Sequence, residues 1–197
     1  MKKATALSLL FFAALLFSFS THAQLKLPGI ANGDVRQALE KVITDFPKDF
    51  VSLRGEIVND GPQSVEYASL LSFKTAEKNT ITKYSGNQPV FSWQAQMITT
   101  EDFTVAEKKY KSLYKDLKAV SLTLNHDYNY GLDGKYDTPD ESRKFASTIF
   151  HLTPNASNLP NVKVELSMQY EFPEWKVYLM VYQRERDDEE RGKTEED

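Results

Sequence analysis

The sequence predicts an α+β fold, an antiparallel sheet with two amphipathic helices on one face. Three observations lead there. Residues 34–45 and 100–117 place apolar side chains at helical spacing. Each is followed by stretches that alternate apolar and polar residues with period two, the mark of strands with one buried face. The strands come in runs between single helices, which favours antiparallel meanders over a βαβ sheet.

The second helix carries the clearest stripe: Phe103, Ala106, Tyr110, Leu113, Tyr114 and Leu117, with Glu107, Lys108, Lys111 and Lys115 on the other side. Thr99 or Thr100 is expected as its cap, with Thr99 and Asp102 as a capping box. Val120, Leu122 and Leu124 then alternate with Ser121, Thr123 and Asn125, and the helix stripe is expected to bury Tyr110 and Leu113 against that strand. The first helix repeats the scheme with Val35, Ala38, Leu39, Val42, Ile43 and Phe46. Asp34 with Gln37 suggests its capping box, and Pro47 ends it at Phe46. Val51, Leu53, Gly55 and Ile57 follow as a strand, expected over 50–58. Laid over each other, Glu40-Lys41 meets Glu107-Lys108, and Lys48-Asp49-Phe50 meets Lys115-Asp116-Leu117. This suggests a tandem α-ββββ pseudo-repeat with halves 34–98 and 99–183. Coincidence between two ordinary helix–strand pairs is the competing reading.

The remaining strands are expected at 64–73, 80–84, 90–98, 144–152, 162–170 and 175–182. Asn59-Asp60-Gly61-Pro62 and Glu171-Phe172-Pro173-Glu174 are turn signals. Residues 126–142 form the longest irregular stretch. The order of elements is similar to the tandem αβββ repeat of β-lactamase inhibitory proteins. That resemblance rests on architecture without a shared motif, and it implies a binding protein.

The N-terminus explains the compartment. Lys2 and Lys3, an apolar run over 4–19 and the Thr21-His22-Ala23 pattern read as a signal peptide over 1–23, cleaved before Gln24. The apolar run is shorter than the ~20 residues of a spanning helix, so no membrane span is expected after cleavage. A periplasmic or secreted location follows. The chain has no cysteine, so packing must supply its stability there without disulfides. Residues 24–33 read as a lead-in linker and 184–197 as a charged, solvated tail. The net charge of −4 argues against a nucleic-acid partner.

Chemical motifs are sparse. The sequence contains no nucleophile elbow, phosphate-binding glycine loop or His-Glu-x-x-His. Once the leader is removed, His126 and His151 remain. The loop after His126 has an oxygen-ligand rhythm, with Asn129, Asp133, Asp137 and Asp140 spaced partly like an EF-hand loop and Gly134 at the sharp-turn position. Calcium is the cofactor considered; an Asp-Gly turn accounts for the same residues. The last strand supplies an aromatic binding candidate. Its two faces carry Trp175 on one side and Tyr178, Met180 and Tyr182 on the other, one of which faces water if the helices cover the sheet on one side only; burial beneath a loop or a second sheet is the competing reading. The function expected is therefore a secreted or periplasmic non-catalytic protein that binds a protein or a glycan through an exposed sheet face. The alternatives are an extracytoplasmic hydrolase using His126 and the acidic loop 127–141, or a structural envelope component.

Overall fold

A sheet of nine strands, in the order β2-β3-β5-β6-β11-β10-β9-β8-β7, organises the chain, and every pairing in it is antiparallel. The computed structural model describes residues 30–183, apart from 33–34, 74, 87–88, 125–127, 157–158 and 160. The signal peptide 1–23, most of the linker, Asp34, His126 and the tail 184–197 lie outside the described residues. The elements are β1 (Ile30–Asn32), α1 (Val35–Asp45), β2 (Arg54–Asp60), β3 (Ser64–Ser69), β4 (Leu71–Phe73), β5 (Lys78–Tyr84), β6 (Val90–Thr100), α2 (Phe103–Ala119), β7 (Leu122–Leu124), β8 (Tyr128–Asp133), β9 (Phe145–Thr153), β10 (Lys163–Glu171) and β11 (Glu174–Tyr182). The sheet is two meanders, one after each helix, joined through their last strands, β6 and β11. The expected α+β class and antiparallel sheet are what the chain forms. Among the described residues no helix is long and apolar enough to cross a membrane.

Several local expectations change. The strand expected from Phe50 begins at Arg54, because Asp49 and Phe50 adopt left-handed backbone and a 3-10 turn, Val51–Leu53, follows. Phe50 spends its side chain in the core instead, fully buried. The strand expected over 64–73 splits at Leu70. Ser69 Oγ donates to the carbonyl of Leu71 and accepts from its N–H, forming a tight local turn. Beyond it, β4 leaves the large sheet and pairs in parallel with β1, which falls in the expected linker. β8 lies inside the stretch expected to be irregular.

The cap of α2 is Asp102, whose carboxylate accepts from the N–H groups of Thr104 at 2.7 Å and Val105 at 3.3 Å. Thr99 and Thr100 belong to β6, and Thr99 bonds Glu77, so neither caps the helix. Such a cap contributes about 1 kcal/mol. Tyr110, Leu113 and Leu117 are buried as the stripe requires. Their helix packs chiefly against β6, β10, β11 and β8, however, not against the strand that follows it. β7 is three residues long and sits at the sheet edge, where α1 covers it. A 17-residue helix reaches ~25 Å at 1.5 Å per residue, long enough to lie over the central strands.

One hydrophobic cluster holds buried side chains of both helices together with Trp93 of β6, Leu166 of β10 and Leu179 of β11. Each such aliphatic residue contributes about 1.5–3 kcal/mol by leaving water. Tyr110 anchors α2 inside this cluster through a 2.8 Å hydrogen bond to Thr148 Oγ1 of β9. Its phenol is raised well above the ordinary tyrosine range, first by burial, which outweighs the opposing bond to Thr148.

Candidate functional site

Pairing of β11 between β6 and β10 sorts its side chains. Trp175, Val177, Leu179 and Val181 share the face against which α2 packs, opposite Met168, Leu166 and Val164. Tyr178, Met180 and Tyr182 take the other face. There Tyr178 faces Ser167 and Gln96, Met180 faces Glu165 and Gln94, and Tyr182 faces Lys163 and Ser92. Trp175 is buried between the rings of Phe103 and Tyr170, each 5.1 Å away. The four aromatic-strand candidates therefore do not form one patch, and the side expected to face water is largely closed: Tyr178 is 7% and Tyr182 9% exposed, and only Met180 is half-buried.

The far face is polar and tightly built. Glu165 is 6% exposed, and its carboxylate accepts from the hydroxyls of Tyr182, at 2.7 Å, and Ser147. Ser147 sits opposite Ser167 on β9, so three neighbouring strands converge here. Ser167 is 2% exposed, and its hydroxyl finds no hydrogen-bond partner among the described residues. A buried hydroxyl left in that state costs about 1–3 kcal/mol.

A second group borders the first. The Tyr178 hydroxyl donates to Glu171 Oε1 at 3.0 Å, while Lys176 Nζ and Gln169 Nε2 hold the same carboxylate. Burial pushes the Glu171 carboxyl up, but the bonds from Lys176, Gln169 and Tyr178 together bring it below its ordinary value. Burial, then the bond to that carboxylate, drives the Tyr178 phenol well above the tyrosine range. The hydroxyls of Tyr178 and Tyr182 both donate to carboxylates, and Met180 lies between the two along β11. The network holds hydroxyls, amides and carboxylates in fixed positions.

The calcium candidates do not converge. Asn129 Oδ1 accepts from Thr123, Asp133 pairs with Lys118 Nζ at 2.6 Å, and Asp140 caps its own turn by accepting from Ser142. Asp137 pins the loop to β9: its N–H donates to Thr148 Oγ1, its carboxylate accepts from Ser147 N–H, and Arg143 pairs with it. Among the described residues no three His, Cys, Asp or Glu side chains are placed to share a metal ion. Gly134 serves packing: a Cβ there would lie 2.6 Å from the Ile149 carbonyl oxygen. His151 is exposed on β9, across from Asp133.

Glu165, Ser147 and Ser167 escape a reading of the sequence. Alternation alone marks them as the polar side of their strands. Only the register that sets Glu165 opposite Met180 makes them neighbours of the tyrosines. Comparison of the chain with family models, with curated proteins and with solved structures finds no match in any of the three.

Proposed function

We propose that this chain is a secreted or periplasmic binding protein, itself non-catalytic, that holds a glycan on the sheet face opposite α2. The carrying observation is the row of half-buried Gln94, Gln96 and Met180 on this face, beside a Glu165 carboxylate already oriented by Tyr182 and Ser147. Of the two partner classes considered, protein and glycan, a hydroxyl-rich ligand best supplies donors and acceptors to such a surface, and Met180 gives it an apolar strip. The location rests on the signal-peptide pattern ending at Ala23.

The reading takes α1 and α2 to lie on the same side of the sheet, leaving the other side to the ligand. Their shared cluster supports this. The halves 34–98 and 99–183 are taken as tandem copies, supported by two helix-then-meander units that meet at β6 and β11. The test is a glycan array probed with the chain lacking residues 1–23, followed by NMR titration of each hit. Met180→Ala and Gln94→Ala, both on this face, should weaken a hit tenfold or more. Glycan binding indifferent to both substitutions, or an array without hits, refutes the reading.

A further inference from the structure

The two edges of the large sheet are treated differently. At one edge the outward N–H of Thr123 on β7 donates to Glu40 Oε1 of α1 at 2.8 Å, so a helix side chain occupies the strand's outer side. At the other edge β2 has a single sheet neighbour, β3, among the described residues. Glu56 to Asp60 are all exposed, with Ile57 at 56% and Val58 at 52%. An uncovered edge strand with apolar residues at its centre is a template for another strand.

The side chains of β2 indicate which strand fits. Arg54, Ile57 and Asp60 pair with Ser69, Tyr67 and Val65, so all three lie on one face. Two register irregularities, between Arg54 and Ile57 and between Ile57 and Asn59, place extra residues in β2 relative to β3. A regular extended peptide laid along β2 would lose register at both points. An antiparallel second β2 carries the same extra residues. With Ile57 opposite its own copy, Arg54 of each chain falls opposite Asp60 of the other. Opposite charges at the two ends of a strand are self-complementary only in the antiparallel, two-fold arrangement.

Arg54 supplies an independent reason. Its guanidinium lies 4.8 Å from the Phe91 ring centroid and 5.6 Å from that of Tyr67, and its Nε finds no hydrogen-bond partner among the described residues. A half-buried cation held on two rings gains from a carboxylate brought alongside. We propose that β2 is a self-association edge, pairing antiparallel with β2 of a second copy through Ile57 and two Arg54–Asp60 ion pairs. One strand edge buries less than the ~1,200 Å² typical of stable complexes, so the dimer is weak and depends on concentration. This surface is distinct from the proposed glycan face.

Sedimentation velocity over a concentration series of the chain lacking residues 1–23 tests it. The expected result is a reversible dimer. Ile57→Lys or Asp60→Arg should raise its dissociation constant tenfold or more, with an unchanged circular dichroism spectrum. Both positions are exposed, so these variants should fold even if Arg54→Asp does not. The double charge swap, Arg54→Asp with Asp60→Arg, should recover dimer if it folds. A monomer at every concentration overturns the proposal, as does a dimer insensitive to both surface substitutions. A monomer that binds inorganic phosphate, with the binding lost in Arg54→Lys, would make this an anion site instead.

Discussion

Thr148 is the junction where α2, the sheet and the loop after β8 meet, and removing its hydroxyl should show how strongly they are tied. Its Oγ1 lies 2.8 Å from the Tyr110 hydroxyl and 3.1 Å from the Asp137 N–H that donates to it. Thr148→Val keeps the shape of the side chain and removes both bonds. The Tyr110 hydroxyl is then stranded in a residue that is 0% exposed, whereas Asp137 is only half-buried and water can reach its N–H. An orphaned buried polar group costs about 1–3 kcal/mol, so with the smaller Asp137 contribution the substitution should cost about 2–4 kcal/mol. Tyr110→Phe removes one partner and leaves Thr148 its bond to Asp137, which should cost about 1 kcal/mol. In the double variant the stranded phenol is gone, so the total should fall short of the sum by about 1 kcal/mol or more. Urea unfolding at neutral pH of the four proteins measures this, provided the slopes agree. Effects that add to within about 0.5 kcal/mol would mean the two hydroxyls do not bond, and the account of how α2 is anchored would be wrong.

Leu113 is 3% exposed and Lys111 faces solvent, so Leu113→Ala should cost about 2–5 kcal/mol and Lys111→Ala less than about 0.5 kcal/mol in the same assay. Gly134→Ala should cost about 1–3 kcal/mol, because its new methyl group meets a backbone carbonyl that cannot swing aside; a neutral result would show that the loop is not pressed against β9. The acid and alkaline limbs of the stability curve should have identifiable sources. For Glu77, burial raises the carboxyl but bonds from Thr99 and Gln96 bring it below its ordinary value, as happens at Glu171. A depressed carboxylate stabilises the fold above its unfolded value, so this stability should drain away as pH falls below about 4, and Glu77→Gln should flatten that limb. Tyr110 and Tyr178 are shifted the other way, so their stabilisation is present below the unfolded tyrosine value and should be lost as pH rises past about 10, less steeply in Tyr110→Phe.

Local physics makes much of this chain readable from the order of its residues alone. The period of the apolar residues locates α1 and α2, because a buried helical stripe requires spacings of three and four whatever it packs against. Alternation likewise separates the two sides of β10 and β11. What alternation cannot supply is the identity of the neighbour. Whether Trp175 or Tyr178 meets α2 depends on which strands flank β11. That is set by long-range pairing with β6, which a one-dimensional pattern does not encode. Asp102 and Thr99 show the same division. Both are good capping residues, but the length of β6 takes Thr99 into the sheet and leaves Asp102 for the helix. Gly134 is legible as a glycine required by the backbone, though for a metal loop; the carbonyl of Ile149 that makes it necessary comes from a strand further along the chain. The polar face around Glu165 belongs wholly to tertiary structure. Its residues come from β9, β10 and β11, and only the registers of those strands turn separate polar positions into one hydrogen-bonded surface.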